Sequence, residues 1–191
     1  MTKGDILDLM TELGARREGH FKLSSGRHSN AYFQCAQILQ FPDLALELGR
    51  SIADLFSEDD FDLVVSPAIG AVLLGHEVAR ALGRRYVFTE RKDGVMSLRR
   101  DFRIEQGERV LIVEDVVTRG TSTHEAIDIV KKEGGVVSGL ACLVDRTSDD
   151  VKLPMPLASL MKVEVVTWEE KDCPLCREGL PLVKPGSRGS V

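Results

Sequence analysis

The chain has 191 residues, an apolar fraction of 43% and a formal net charge of −5 at pH 7. This length fits one domain, or one domain with a small addition, and the apolar fraction supports a hydrophobic core. The acidic balance argues against a general nucleic-acid-binding role. No apolar run approaches the ~20 residues that span a membrane, and the N-terminus lacks the apolar core of a secretory signal. We therefore expect a cytoplasmic protein with no membrane and no nucleic-acid partner.

The first forty residues predict a short helix followed by a β-hairpin. Apolar residues recur at helical spacing over residues 5–13. Further on, residues 20–23 alternate between apolar and polar side chains, residues 25–26 suit a turn, and residues 31–35 resemble a second strand. On this pattern alone, a plain surface hairpin is as good an interpretation as a functional one.

The middle of the chain alternates helices with buried strands. Residues 42–56 carry an amphipathic helical stripe, and residues 61–65 form an apolar run typical of a buried strand. A tight loop of small residues follows at 66–70, then a helix over 71–82 and a strand over 85–89.

The next segment, residues 90–102, is polar, basic and aperiodic, which predicts a mobile loop. Its arginines could hold a pyrophosphate, because guanidinium groups match phosphate oxygens in geometry and charge. A solvated surface loop is the alternative interpretation.

Residues 110–122 contain the most informative pattern in the chain. Residues 110–113 are apolar and predict a strand buried on both faces, and Glu114 and Asp115 follow at its end. The loop after them is rich in small and hydroxyl side chains, namely Thr118, Gly120, Thr121 and Ser122. A helical pattern begins at Thr123, so backbone N–H groups and the helix dipole favour an anion in the loop. The carboxylates would repel that anion but suit sugar hydroxyls or a cation, so a phosphorylated ribose satisfies both halves. An ordinary capped helix is the alternative.

Two more strands complete the predicted sheet. Residues 136–144 predict a buried strand that ends in Asp145 and Arg146, and residues 160–168 predict a last strand. Because strands alternate with helices, we expect the α/β class with a central, mostly parallel sheet. The ligand should lie beyond the carboxyl ends of the strands, where the acids are.

The cysteines give one open question. Cys173 and Cys176 form a Cys-x-x-Cys motif, which is half of a zinc knuckle. No second cysteine pair or histidine pair follows it, and Cys35 and Cys142 resemble strand residues. An ordered tail with reduced thiols is the alternative, since four cysteines are too few for a disulfide scaffold in a chain of this length.

Residues 110–122 closely resemble the phosphoribosyl pyrophosphate signature of type I phosphoribosyltransferases, in which four apolar residues and two acids precede Thr-x-Gly-x-Ser. The resemblance implies the type I phosphoribosyltransferase fold. It also implies that the acids hold the ribose hydroxyls, that the loop holds the 5′-phosphate, and that loop 66–70 approaches the pyrophosphate through its backbone. The implied phosphoribosyl-pyrophosphate-binding residues are Glu114, Asp115, Val116, Thr118, Arg119, Gly120, Thr121 and Ser122, with Ala68, Ile69 and Gly70.

The N-terminal hairpin is similar to that of orotate phosphoribosyltransferases, which carry Phe-x-Leu-x-Ser-Gly-x-x-Ser before an aromatic pair. The matching residues are Phe21, Leu23, Ser25, Gly26, Ser29, Tyr32 and Phe33. The resemblance implies a hood over the pyrimidine ring, and an arginine after strand 136–144 that binds the orotate carboxylate. The implied orotate-binding residues are Lys22, Ser25, Tyr32, Phe33, Thr118 and Arg146.

This chain departs from the family pattern at three places. Ser24 and Ile69 stand where the family often has lysines, and the Lys-x-His that usually follows Arg91-Lys92 is absent. Lys22, on the same strand face as Ser24, is a candidate replacement in the hood, and two later arginines are candidates in the loop. The predicted catalytic residues are therefore Arg91 and Lys92, which match the family's loop, Arg99 and Arg100, which are candidates on their chemistry alone, and Asp115.

The resemblance implies a single domain over residues 1–191, with a core at about 41–149 and a hood built from 1–40 and part of 150–191. The implied reaction transfers ribose 5-phosphate from phosphoribosyl pyrophosphate to orotate. It uses Mg²⁺ carried mainly by phosphoribosyl pyrophosphate, in a homodimer that shares its catalytic loop across the interface. Two alternatives remain at this stage: transfer to a purine such as xanthine or hypoxanthine, and a regulator that senses phosphoribosyl pyrophosphate without turnover.

Overall fold

The computed structural model describes residues 2–23, 25–164 and 166–185 of the chain. Its helices are α1 (Lys3–Glu12), α2 (Ala36–Leu39), α3 (Pro42–Ala53), α4 (Val72–Leu82), α5 (Thr121–Lys132) and α6 (Pro174–Arg177). Its strands are β1 (Arg16–Lys22), β2 (His28–Phe33), β3 (Leu63–Pro67), β4 (Arg85–Lys92), β5 (Val95–Leu98), β6 (Arg109–Val117), β7 (Val136–Asp145), β8 (Leu157–Lys162) and β9 (Thr167–Trp168). Single 3₁₀ turns cover Glu58–Asp60 and Glu170–Asp172.

A six-stranded sheet in the order β5-β4-β3-β6-β7-β8 forms the centre of the fold. Five of these strands run parallel, and β5 runs antiparallel to β4. The predicted α/β class with a mostly parallel central sheet is therefore confirmed. Because the strands are parallel, the carboxyl ends of β3, β4, β6 and β7 meet at one edge of the sheet.

Helices cover both faces of the central sheet, which is why the middle of its central strands is apolar. All five residues of β3 and residues 110–114 of β6 are buried. On one face, α3 and α4 pack on the sheet through residues such as Leu48 and Leu74, which join Leu111. On the other face, α5 packs around Ile112. Burying one such aliphatic side chain stabilises the fold by about 1.5–3 kcal/mol.

A small second sheet in the order β1-β2-β9 joins the two ends of the chain. β1 and β2 pair antiparallel as the predicted hairpin, and β9 pairs with β2. Near the C-terminus, the N–H of Val183 donates to the His20 carbonyl at 2.8 Å, and the N–H of Lys22 donates to the Val183 carbonyl at 2.8 Å. The N-terminal hairpin and the C-terminal segment therefore form one layer.

The segment predicted to be an aperiodic loop, residues 90–102, contains a β-hairpin. β4 continues to Lys92, turns through Asp93 and Gly94, and returns as β5. Both turn residues have positive φ, 52° and 84°, as a two-residue type I′ turn requires, and Asp-Gly is a preferred pair for that turn. The prediction was wrong over residues 90–98 because it rested on polarity and overlooked this turn signal.

The last predicted strand, residues 160–168, is two elements in two sheets. β8 pairs with β7 as far as Lys162 opposite Asp145, where β7 ends. Beyond Lys162 the chain leaves the central sheet, and Thr167–Trp168 pairs with β2 instead. The second strand of the N-terminal hairpin likewise ends at Phe33, before α2 begins. Among the described residues, no helix has the length and apolar character to cross a bilayer.

Candidate active site

The sequence-predicted site residues of three loops lie along one edge of the central sheet. Residues 68–70 follow β3, Glu114 and Asp115 lie near the carboxyl end of β6, and Arg146 follows β7. β6 lies between β3 and β7, so the acidic pair occupies the middle of this edge. The end of the β1–β2 hairpin also reaches this edge of the sheet, because the Sγ atom of Cys35, which follows β2, lies 4.0 Å from the Asp115 carbonyl oxygen.

Glu114 and Asp115 are carboxyl groups in an environment that disfavours their charge. Glu114 is only 7% exposed, and burial, together with the charge of Asp115, raises its pKa well above the usual range. Burial also raises the pKa of Asp115, and the backbone N–H groups of Val116 and Asp115 partly offset that rise. Within the described part of the chain, neither acid has an ion-pair partner. Hydroxyl donors or a cation supplied by a ligand would relieve this cost.

The loop after β3 lies directly against the Asp115 carboxylate. A Cβ placed on Gly70 would lie 2.5 Å from Asp115 Oδ2, so this approach requires a residue without a side chain. The loop is fixed at its start, where the Ala68 N–H donates to the Thr89 carbonyl at 2.6 Å. A cis peptide joins Ala68 to Ile69, and the Ile69 side chain is 83% exposed. The backbone of this loop and the acidic pair therefore form one surface.

The loop between β6 and α5 is built to receive an anion. Gly120 is the N-cap residue of α5, with φ at 70° in the left-handed region that suits glycine. Since glycine offers no capping side chain, the first-turn N–H groups remain available to a ligand. A Cβ on Gly120 would also lie 2.9 Å from the Leu153 Cδ2 atom. The neighbouring predicted residues Thr118, Arg119 and Thr121 are exposed, and Ser122 is partly exposed.

Arg146, which follows β7, is a partly buried cation at this edge. Its guanidinium carbon lies 5.3 Å from the centre of the buried Phe33 ring, and burial lowers the pKa of the group. No acid pairs with Arg146 in the described residues, and its Nε atom is buried without a hydrogen-bond partner. Tyr32 is close by: burial raises its pKa, and the charge of Asp115 adds to that rise. The structure thus brings Arg146, Phe33, Tyr32 and Asp115 together.

The other two predicted hood residues are placed differently. The Lys22 ammonium lies 3.4 Å from Glu170 Oε2 in an exposed ion pair. Ser25 lies in the exposed turn of the hairpin, where its Oγ accepts from the Arg27 N–H at 3.4 Å. Ser24 lies outside the described residues. The roles of Lys22 and Ser25 in binding a base stay predictions.

The four predicted cations of residues 90–102 lie on or beside the β4–β5 hairpin. Arg91 donates to Glu125 of α5 at 2.9 Å and to the Gly94 carbonyl at 2.7 Å. Arg99 and Arg100 both pair with Glu90, at 3.6 Å and 3.0 Å. Lys92 is exposed. Glutamates therefore hold three of these four cations at the carboxyl end of β4, and their catalytic roles stay predictions.

Sequence reasoning identified Cys173 and Cys176 as half of a possible zinc site but missed the two histidines that join them in the small sheet. His20 and His28 of the hairpin lie beside Cys173 and Cys176, with all four ligand atoms within 4.8 Å of one another. Both histidines precede the Cys-x-x-Cys motif by more than a hundred residues, whereas a local zinc knuckle would place its partners after it. Two histidines eight residues apart around a predicted turn were the signal that could have found the group.

The family comparison agrees with this geometry. A model of the phosphoribosyl transferase domain matches residues 34–172. The fold and the site therefore define a phosphoribosyltransferase. A solved orotate phosphoribosyltransferase from Aeropyrum pernix superposes with a TM-score of 0.70 at 24% identity, covering 83% of this chain and 93% of that one, which supports the fold.

Similar sequences show which family of phosphoribosyltransferases the chain belongs to. The orotate phosphoribosyltransferase of Pelotomaculum thermopropionicum is 50% identical over 188 residues, 98% of this chain and 99% of that protein. The orotate phosphoribosyltransferase of Caldicellulosiruptor bescii is also 50% identical, with the same coverage. The chain belongs to the orotate phosphoribosyltransferase family.

Proposed function

We infer that the chain transfers ribose 5-phosphate from phosphoribosyl pyrophosphate to N1 of orotate, giving orotidine 5′-phosphate and pyrophosphate, the reaction of its family. The observation that carries this assignment is Arg146, a partly buried cation on the Phe33 ring without an acidic partner among the described residues. It lies beside the acidic pair of the ribose site. An anionic base such as orotate supplies the missing negative charge.

We propose that phosphoribosyl pyrophosphate lies along the three loops of the sheet edge. The ribose hydroxyls donate to Glu114 and Asp115, whose raised pKa values reflect unfavourable burial that these hydrogen bonds offset. The 5′-phosphate accepts from the backbone N–H groups of residues 118–122. The pyrophosphate accepts from the backbone of residues 68–70, which Gly70 allows to approach Asp115 closely. This arrangement holds the anomeric carbon between its leaving group and the base.

We propose Mg²⁺ as the cofactor, bound mainly through phosphoribosyl pyrophosphate. The buried Glu114 and the partly buried Asp115 have no cationic partner in the described residues, and together they form a donor set that fits a hard, oxygen-preferring cation nearby. When bound, Mg²⁺ supplies charge neutralisation to the departing pyrophosphate. The protein's own contribution is to fix the ribose through Glu114 and Asp115 and to exclude water from the reacting carbon.

We propose that the small sheet is a hood that covers the base. Tyr32 and Phe33 contact the ring, the Arg146 fork binds the carboxylate, and Thr118 lies at the junction with the ribose site. Lys22 and Ser25 complete the proposed base-binding set. In this division, residues 41–149 form the core, and the hood comes from 1–40 and part of 150–191. An already acidic base needs no strong general base from the protein.

We propose that the β4–β5 hairpin supplies cations to the leaving pyrophosphate. When the substrate binds, phosphate oxygens would become the partners of Arg91, Lys92, Arg99 and Arg100. Arg91 would then leave Glu125, and Arg99 and Arg100 would leave Glu90. In a homodimer the hairpin would serve the neighbouring active site. We also propose a cytoplasmic location, where reducing conditions keep the four free thiols reduced.

A panel of bases tests the assignment. The chain is incubated with phosphoribosyl pyrophosphate and Mg²⁺ and with orotate, uracil, xanthine, hypoxanthine or adenine, and pyrophosphate release is measured. We expect turnover with orotate and little with the others. Turnover of xanthine or hypoxanthine in place of orotate would contradict the assignment of the base and would support only the assignment to the phosphoribosyltransferase class. Binding of phosphoribosyl pyrophosphate without any turnover would indicate a regulator.

The double variant Glu114→Gln with Asp115→Asn tests the ribose site in the same assay. Because both groups position the ribose, we expect kcat/KM to fall by several orders of magnitude while the fold stays intact. Asp128→Asn, an exposed acid on α5, is the matched control and should retain activity. A folded double variant with near-normal kcat/KM would contradict the assignment of the acids.

A further inference from the structure

Four side chains that can bind a metal converge where the small sheet meets the C-terminal Cys-x-x-Cys segment. Cys176 Sγ lies 3.3 Å from His28 Nδ1 and 3.6 Å from His20 Nε2. Cys173 Sγ lies 3.5 Å from the same His20 Nε2 atom. The two histidine nitrogens are 2.9 Å apart. Two thiols and two imidazoles thus face a single point.

These separations match the edges of a tetrahedral zinc site. With Zn–S at about 2.3 Å and Zn–N at about 2.0–2.1 Å, the tetrahedral angle places sulfur and nitrogen about 3.5 Å apart. The three sulfur–nitrogen distances of 3.3, 3.5 and 3.6 Å lie within about 0.3 Å of that value. The nitrogen–nitrogen distance of 2.9 Å is shorter than the expected value of about 3.3 Å. The two remaining edges, which both involve Cys173, are at most 4.8 Å, so metal binding requires small shifts of these side chains.

The surroundings of His20 orient it as a ligand. Its Nδ1 lies 2.9 Å from the Leu180 carbonyl oxygen, so Nδ1 carries the proton and donates to that carbonyl. Nε2 then presents its lone pair to the two sulfurs and to His28 Nδ1. A hydrogen bond from the outer ring nitrogen to a backbone carbonyl is the usual support of a metal-bound histidine.

Burial separates this group from a chance surface cluster. Cys173 and His28 are fully buried and His20 is 4% exposed, while Cys176 is exposed. Without a metal, His28 Nδ1 would donate to His20 Nε2, and the buried Cys173 Sγ would face that occupied nitrogen only as a weak hydrogen-bonding group. A metal ion accepts the lone pairs of all four ligand atoms at once, which the hydrogen bond does not.

We propose that His20, His28, Cys173 and Cys176 bind one Zn²⁺ ion in a closed structural site. Two thiolates and two imidazoles in a tetrahedron are the ligand set that zinc prefers. All four positions are filled by the protein, so the site has no open position for a substrate and is structural rather than catalytic. The ion joins the β1–β2 hairpin to the C-terminal Cys-x-x-Cys segment. It adds a metal link to the backbone pairing of Val183 with β1.

Metal analysis of the purified chain tests the site independently of enzyme activity. The full chain is produced without a polyhistidine tag and purified with reductant and without chelator, and its zinc is measured by elemental analysis. We expect roughly one zinc per chain. Replacing zinc with Co²⁺ should give the absorption of a tetrahedral ion with thiolate ligands. A strong chelator should lower the Tm, and added Zn²⁺ should restore it.

Single substitutions locate the ion. Cys176→Ser changes the exposed ligand and is the variant best expected to stay folded, and Cys173→Ser and His28→Gln test the buried ones. Each should lose most of its zinc, whereas the matched controls Cys142→Ala and His76→Gln should retain it. Reduced wild-type protein that neither contains zinc nor takes up Co²⁺ would overturn the proposal. So would a metal-free Cys173–Cys176 disulfide in the native protein, or zinc that persists in both cysteine variants.

Discussion

Replacing Arg146 with alanine is the sharpest test of how the base is recognised. Arg146 lies partly buried on the Phe33 ring, 5.3 Å from its centre, beside the ribose site. No acid of the described residues neutralises it. The Arg146→Ala change removes the positive charge that we assign to the orotate carboxylate. It leaves Glu114, Asp115 and the phosphate loop unchanged.

The size of the effect follows from the charge-assisted hydrogen bonds that this change removes. A hydrogen bond that involves a charged group contributes about 1.5–3 kcal/mol. At about 1.4 kcal/mol per tenfold change in affinity, the KM for orotate should rise between roughly tenfold and 150-fold. The KM for phosphoribosyl pyrophosphate should change little. Arg146→Lys keeps the charge but lacks the planar fork and its stacking on Phe33, so we expect an intermediate rise.

Steady-state kinetics with each substrate varied at saturating levels of the other measures this separation. The Kd for orotate should also be measured by equilibrium binding, because KM equals Kd only when the chemical step is slow. Arg50→Ala, an exposed arginine on α3, is the matched control, and thermal unfolding checks that each variant is folded. An unchanged KM for orotate with a raised KM for phosphoribosyl pyrophosphate would refute the reasoning, since Arg146 would then serve the other substrate.

The central sheet and its phosphate loop could be predicted because their signals are local. The apolar run at 110–113, the acids after it and Gly120 lie within a dozen residues, and each has a direct physical consequence. A strand covered on both faces must be apolar, and a helix that starts without a capping side chain leaves its N–H groups free. The structure confirms the α/β class and places the acids near the carboxyl edge, although β6 continues through them to Val117 and does not end at residue 113.

Features that depend on distant partners could not be predicted from local pattern. Whether residues 160–168 form one strand or two depends on where β7 ends, which the pattern of those residues does not contain. The pair of Arg91 with Glu125 of α5 likewise joins residues 34 positions apart. His20 and Cys173 are 153 positions apart and meet only because the two chain ends share a sheet.

Two further predictions concern the hairpin and the buried acid. If Arg99 and Arg100 reach the leaving pyrophosphate, Arg99→Ala and Arg100→Ala should each lower kcat at least tenfold, whereas the exposed control Arg103→Ala should not. Unchanged turnover in both variants would make the segment an ordinary exposed hairpin. The second prediction concerns stability in the absence of ligands and divalent cations. Burial and Asp115 raise the pKa of Glu114 in the folded state, so between the ordinary carboxyl pKa and the raised value the folded protein holds a proton that the unfolded chain has released. The free energy of unfolding of the wild type should therefore fall as pH rises through that window, and Glu114→Gln should lack this loss. We expect the Tm of Glu114→Gln to exceed that of the wild type by an amount that grows with pH. A gain on the order of 1 kcal/mol corresponds to about 2–4 °C for a chain of this size. Calorimetry across the pH range measures the difference. A Tm difference that stays constant or shrinks with rising pH would show that the Glu114 charge is already compensated within the folded chain, and the acid would then have no electrostatic need for a ligand.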